Sequence, residues 1–309
     1  MSRIHEALKK AAQERAIQPA SLNEASLLDL TAPPQPTPPV REAEEPATRS
    51  VVAPESVGFL RFEDLVKKCA KPKWNIDARM SVFEESDGNN QVGAERFRTL
   101  RSRLYQIAGT RPLRRVAVTS SVPAEGKTFV AANLALSFVR QPDRRVLLID
   151  GDLRASRLHQ VLGAPRTPGL SDYLQGQADE YQVVQMGSDA NLCLIPGGRE
   201  VTNPSELLMN ERLRKLLELM TPLFDWIIID TPPTLPVHDA SMIADMCDGV
   251  LFVVRAGSTN HQVASKATAE FQERNLLGVV LNRVDHGAAY GGYYYSPYSY
   301  GAYPEPEKA

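Results

Sequence analysis

Thr119-Ser120-Ser121-Val122-Pro123-Ala124-Glu125-Gly126-Lys127-Thr128 is the segment from which this chain is best read. It follows an apolar, β-branched run, Arg115 to Thr119, and opens a helical pattern from Lys127 to Arg140. A strand, a turn and a helix start in that order bring backbone N–H groups and the positive end of the helix around a polyphosphate. In such a P-loop Lys127 neutralises the outer phosphate oxygens and the Thr128 hydroxyl ligates Mg²⁺. The match to G-x-x-x-x-G-K-[ST] is imperfect. Ser121 stands where the first glycine belongs, and Ala124 occupies a position at which a positive φ would cost alanine about 1 kcal/mol. The plain alternative is a glycine-poor turn carrying a surface lysine.

Further short apolar runs read as buried strands: Val146 to Asp150, Leu192 to Ile195, Trp226 to Asp230, Val250 to Arg255 and Gly278 to Asn282. Helical patterns lie at Glu95 to Ile107, Ser205 to Met220, Asp239 to Met246 and His261 to Arg274. This alternation predicts an α/β doubly wound, mostly parallel sheet. Two strands end in acid. Leu147-Leu148-Ile149-Asp150-Gly151-Asp152-Leu153-Arg154 sets Asp150 and Asp152 at a strand's C-terminal edge, where doubly wound sheets bind ligands. Ile227-Ile228-Ile229-Asp230-Thr231-Pro232 delivers Asp230 to the same edge, as a Walker B carboxylate does for Mg²⁺. A lone strand-ending Asp usually caps a turn, but three converging on G-K-T fit phosphoryl transfer, with Asp150 as candidate base. Arg154 can pair with Asp150, with a phosphate, or in an ordinary surface salt bridge.

Composition bounds the rest. The 309 residues are 43% hydrophobic and 23% charged with a formal net charge of -2, so bulk charge offers no case for nucleic-acid binding. No apolar run approaches the roughly 18 to 20 residues of a membrane helix and no signal peptide is evident, which predicts a cytoplasmic chain. Three scattered cysteines, Cys69, Cys193 and Cys247, lack metal-ligand spacing. Residues 1–20 hold a thin amphipathic helix with Ile4, Leu8, Ala11 and Ala12 on one stripe, suited to docking. Residues 21–58 form a Pro-rich linker expected to be disordered. Residues 59–90 regain apolar side chains without enough length for a domain, 91–285 hold the ATP-binding domain, and 286–309 form a flexible tail.

That tail carries Tyr290, Tyr293, Tyr294, Tyr295, Tyr298, Tyr300 and Tyr303, seven of the chain's ten tyrosines, in a stretch from His286 to Pro304 without Asp, Glu, Lys or Arg. It reads as accessible substrate or as a sticky low-complexity segment. Together with the P-loop it resembles the bacterial tyrosine kinases, over about residues 80 to 309. S-S-V-P-A-E-G-K-T is similar to their Walker A, L-L-I-D-G-D-L-R to their second Walker motif and I-I-I-D-T-P to their Walker B. Glu95, Arg98 and Arg101 resemble the E-x-x-R-x-x-R helix by which these kinases form rings, and Asn203-Pro204-Ser205-Glu206-Leu207-Leu208 resembles a further family segment.

The resemblance implies a P-loop NTPase fold of the SIMIBI class, similar to MinD. It places ATP and Mg²⁺ on Ser121, Val122, Pro123, Ala124, Glu125, Gly126, Lys127, Thr128 and Phe129, with Asn282 toward the nucleobase. Thr128, Asp152 and Asp230 then hold the metal environment, Asp150 accepts the tyrosine proton, and the catalytic set is Lys127, Asp150, Asp152, Arg154 and Asp230. It also implies autophosphorylation of the tail in trans, a homo-oligomeric ring, a separate membrane-embedded polysaccharide co-polymerase as activator, a cognate phosphatase, and recruitment to the inner face of the membrane. M-S-R-I-H-E-A-L-K-K-A resembles the start of exopolysaccharide-locus autokinases. The rivals are a ParA/MinD-type nucleotide switch, whose signature lysine is replaced here by Val122, and a nucleotide-binding scaffold without activity.

Overall fold

The structure, a computed structural model, describes residues 60–284 except 79, 84–87, 188–190 and 273–274. The amphipathic segment 1–20, the Pro-rich linker and the tyrosine tail lie outside the described residues. The chain builds a seven-stranded sheet in the order β3-β4-β2-β5-β1-β6-β7, from β1 (Arg115–Ser120), β2 (Val146–Asp150), β3 (Gln185–Met186), β4 (Leu192–Ile195), β5 (Trp226–Asp230), β6 (Gly249–Arg255) and β7 (Leu276–Asn282). Every pairing is parallel except β3 with β4. The α/β, mostly parallel fold read from the sequence is thus present, and its six predicted strands recur within two residues. The two-residue β3 had no apolar run to announce it.

Alternation along the central strands explains why they are buried on both faces. Leu148, Trp226 and Ile228 point into one layer with Leu134 and Phe138. Leu147, Ile149, Ile227 and Ile229 point into the opposite layer with Leu216, Leu217 and Phe224. The first layer is covered by α2 (Gly88–Ala108) and α3 (Lys127–Val139). There Phe138 stacks on Trp226 with ring centroids 4.1 Å apart and Tyr105 meets both edge-on.

Residues 60–83, too short to form a domain of their own, pack against this body. The helix α1 (Phe62–Lys68) buries Leu65 in the second layer, and Phe62 meets Phe224 edge-on. The chain then bridges to β3, where Met186 donates its N–H to the Ala70 carbonyl, and places Trp74 in the first layer. Asn133, fully buried in α3, receives the Val82 N–H and donates to the Met80 carbonyl, stitching the segment to the helix that follows the P-loop.

The helix expected over Ser205 to Met220 is instead two, α7 (Pro204–Leu208) and α8 (Glu211–Met220). Asn210 lies in extended conformation between them, and its side chain accepts the Arg212 N–H. The short helices α4 (Leu158–Leu162), α5 (Leu170–Leu174) and α6 (Glu180–Val183) were not foreseen. α9 (Asp239–Ala244) and α10 (His261–Ala269) end earlier than their sequence patterns.

Candidate functional site

The segment between β1 and α3 closes as the sequence predicts, and two of its residues take left-handed backbone. Gly126, preceding α3, has φ 97°, and a Cβ there would lie 2.1 Å from Asn282 Nδ2. Only glycine fits. Ala124 has φ 65°, so the strained alternative at this position is the real one. Bracing comes from a residue assigned only by its place in the motif. Glu125 is buried, its carboxylate accepts the Val122 N–H at 2.8 Å and the Thr259 hydroxyl at 2.5 Å, and its carbonyl accepts from Asn282 Nδ2 at 2.9 Å. Asn282 is therefore tied to the phosphate loop itself, beside the cleft in which a nucleotide would lie. Nothing in the sequence motif signalled Thr259, which reaches the loop from the turn after β6.

Parallel register brings the acids together. Asp150 and Asp230 are paired positions at the ends of β2 and β5, and Val118 of β1 is opposite Asp230. Asp230 Oδ2 accepts the Thr128 hydroxyl at 2.6 Å. Asp150 Oδ2 accepts three hydrogen bonds, from Ser156 Oγ at 2.8 Å and from the N–H groups of Arg157 and Leu158 at 3.0 Å, which fold the loop after β2 around it. The second oxygens of both, Asp150 Oδ1 and Asp230 Oδ1, are buried without a partner among the described residues, as is Ser121 Oγ. Burial raises both carboxyls above the ordinary range. Ser156 opposes the rise at Asp150, whereas the neighbouring Asp150 charge adds to it at Asp230.

Lys127 and Asp152 are both nearly buried and line the same cleft, and Asp152 Oδ1 also accepts the Ala155 N–H. Orphaned carboxylate oxygens beside the G-K-T hydroxyl are what a magnesium-bearing polyphosphate satisfies, so the residues fit that group. No group of three or more His, Cys, Asp or Glu forms a metal cage among the described residues. P-loop Mg²⁺ asks for none, because phosphates and waters supply most of its ligands.

Arg154 does not pair with Asp150. It donates Nε to Asp239 Oδ2 and a terminal nitrogen to Ser205 Oγ, both at 2.8 Å, while Ser205 donates to Asp239 Oδ1 at 2.6 Å. This closed triad joins the loop after β2 to the starts of α7 and α9, so the N-P-S-E segment meets the acidic motif through Ser205. Glu95 and Arg98 pair with each other on exposed α2, and Arg101 donates to the Ser137 carbonyl of the same chain. Phe129 lines the cleft while packing on Phe97. The seven tail tyrosines are outside the described residues. The cleft itself encloses about 1200 Å³ between the P-loop, α2, the loops after β2 and β5, and the end of β7.

Residues 114–270 match the AAA domain family. The tyrosine-protein kinase YwqD of Bacillus subtilis is 33% identical over 206 residues, covering 65% of this chain and 86% of its own length. The tyrosine-protein kinase CpsD of Streptococcus agalactiae is 36% identical over 219 residues, 70% of this chain and 94% of that one. The tyrosine-protein kinase wzc of Salmonella typhimurium is 35% identical across 68% of this chain, but the match spans only 29% of wzc. Among solved structures, the kinase domain of Escherichia coli ETK superposes with TM-score 0.58 at 33% identity, covering 64% of this chain and 80% of that one. The chimerical protein CapA2B2 superposes at 0.62 with 27% identity, covering 72% and 97%. With the P-loop, the two acidic strand ends and a relative matched over most of its length, the chain belongs to the bacterial tyrosine kinase family.

Proposed function

We propose that the chain is an ATP-dependent tyrosine autokinase that phosphorylates its own C-terminal cluster, Tyr290 to Tyr303, and thereby regulates exopolysaccharide polymerisation or export. The observation that carries this reading is the convergence, on one sheet edge, of Lys127 and Thr128 with two buried carboxylates that each keep an unpartnered oxygen. Backbone N–H groups of residues 124–128 would cradle the phosphates, since Pro123 has none and the Val122 N–H is held by Glu125, and Lys127 would offset charge on the outer ones. Thr128 would hold Mg²⁺, with Asp152 and Asp230 nearby, and the ion would supply further neutralisation of phosphate charge.

The tyrosine Oη forms its bond to the γ-phosphorus as the bond from that phosphorus to the β–γ bridging oxygen breaks, and ADP leaves. A phenol of pKa about 10 is protonated at neutral pH, so the proton must be accepted as attack proceeds. Asp150 Oδ1 is the oxygen left for it, because Oδ2 is saturated by three donors. The raised carboxyl pKa brings its proton affinity closer to the operating pH, which favours proton transfer.

Glu95, Arg98 and Arg101 are proposed to meet a second copy in a ring, with Arg98 and Arg101 exchanging their present partners for a neighbour's carboxylates. Likeness to CpsD and to the chimerical CapA2B2 supports a separate membrane-embedded activator that recruits the chain to the cytoplasmic face, with residues 1–20 as its docking segment. A cognate phosphatase would reset the tail. Among the described residues no helix is long and apolar enough to cross a membrane. Phosphotyrosine mapping of the purified chain and of Lys127→Met tests the reading. Modification of the tail that disappears in the variant supports the kinase; ATP hydrolysis without phosphotyrosine supports a nucleotide switch of the ParA/MinD type instead.

A further inference from the structure

The cleft has more positive charge than its nucleotide chemistry uses. Six cations, Arg96, Arg103, Lys127, Arg154, Arg157 and Arg283, line it against two carboxylates, Asp77 and Asp152. Lys127 belongs to the phosphate loop and Arg154 is neutralised by Asp239. The side chains of Arg96, Arg103 and Arg157 are exposed and make no ion pair or hydrogen bond among the described residues.

Their placement is directional. Seven residues on a helix of 3.6 per turn bring Arg96 and Arg103 to within about 20° of each other, on a stripe with Leu100 that faces the cleft. Arg98 and Arg101 lie about 140° or more around α2 from both arginines of this stripe, with Glu95 between the two faces, so the stripe uses guanidinium groups other than those of the ring-forming motif. Arg157 follows Ser156, the residue whose hydroxyl holds the candidate base. Guanidinium groups gathered in a concave wall focus a field on anions and bind phosphate oxygens in a forked, two-bond geometry.

The same cleft is where the tail leaves the body. Arg283 and Val284, the last described residues, are part of its wall. Tyr290 is six residues farther on, a reach of at most about 20 Å. Segment 286–304 has no charged residue, so the arginines exert no Coulombic pull on it before modification. Each phosphotyrosine brings roughly -1.5 to -2 charges, and the tether keeps it at high local concentration.

We propose that Arg96, Arg103 and Arg157 form a binding site for the phosphotyrosine-bearing segment 286–304 of this chain, distinct from the nucleotide subsite. It retains a tail after its first phosphorylation and so favours further rounds on the same cluster. Its capacity is limited to a few phosphates, beyond which the charges on the tail repel one another. The proposal builds on the autokinase reading, but its binding test needs no catalysis.

A fluorescent peptide of residues 286–304, phosphorylated at Tyr293 and Tyr295, is titrated into dephosphorylated full-length chain, beside the unmodified peptide and inorganic phosphate. The phosphopeptide is expected to bind at least ten-fold more tightly than the unmodified one, with inorganic phosphate at equal concentration failing to displace it. Arg96→Gln/Arg103→Gln removes most of that preference, while Arg214→Gln/Lys215→Gln, an equal charge change on α8, keeps it. Should the double variant fail to fold, Arg157→Gln reads the same preference. Equal affinity for both peptides, displacement by inorganic phosphate, loss of preference in the α8 pair, or retention of it in the cleft variants overturns the site. Absence of phosphotyrosine in the wild-type chain would instead strike the autokinase reading and leave the peptide result standing.

Discussion

At the scale of single residues, the phosphate loop stores strain at one position and forbids substitution at another. Ala124 sits at φ 65°, which costs an L-residue about 1 kcal/mol relative to glycine. Ala124→Gly should therefore raise the melting temperature of the nucleotide-free chain by about 2 to 4 °C for a body of this size; a lower melting temperature would show that the alanine methyl packs usefully. Gly126→Ala should weaken nucleotide binding strongly, since φ 97° strains any L-residue there and the added Cβ would push Asn282 Nδ2 off the loop.

The buried carboxylates store strain of another kind. Burial raises the native pKa of Asp230 above its unfolded value, so the folded chain binds more protons than the unfolded chain through the interval between those two values. Stability must then fall as pH rises through that window. Asp230→Asn removes the penalty: its melting temperature should match the parent near pH 4 and exceed it increasingly at higher pH, while Mg²⁺-dependent activity is lost. A melting difference that does not grow with pH would contradict the assigned burial cost. The sequence showed the acids at strand ends. It could not show that one oxygen of Asp150 is consumed by Ser156, Arg157 and Leu158, because those bonds depend on how the loop folds back.

At the scale of elements, strands were legible because apolar runs of four to seven residues have few other readings, although β7, expected to be buried, lies at the sheet's edge with Val279 and Leu281 exposed. Short helices were not: α4, α5 and α6 have four or five residues, too few for a 3.6-residue period to repeat. The break between α7 and α8 was hidden for a different reason. Its apolar spacing continues across Asn210, and only the extended backbone there shows that the amide caps a new helix. The Arg154–Ser205–Asp239 triad was invisible for the same reason as Thr259, since both connect segments far apart in the chain. Asp239 is buried, and losing Arg154 leaves its carboxylate with one side-chain donor among the described residues, Ser205. Arg154→Ala should destabilise the chain by about 2 kcal/mol in urea unfolding, whereas an effect within about 0.5 kcal/mol would place Arg154 in the class of ordinary surface ion pairs.

At the scale of the molecule, a sheet edge that gathers β1, β2 and β5 holds the site, and residues 60–83 wrap the layers that support it. That wrapping reaches α3 through Asn133 and the first layer through Trp74. A chain beginning at Val57 should unfold cooperatively near the full-length temperature, while Trp74→Ala should cost about 3 kcal/mol through the cavity it leaves. Full stability in Trp74→Ala would mean that the segment is a passive cover. Sequence composition could not reveal this role, because the segment is too short to bury its apolar residues without the body it covers.

This edge is proposed to transfer phosphate to the chain's own tyrosines. Phosphotyrosine mapping by mass spectrometry on the purified full-length chain incubated with Mg²⁺ and ATP, beside Lys127→Met and Asp150→Asn, tests it most directly. Phosphate confined to Tyr290–Tyr303, absent in Lys127→Met and strongly reduced in Asp150→Asn, is the predicted result. ATP turnover by the wild-type chain with no phosphotyrosine formed would contradict it.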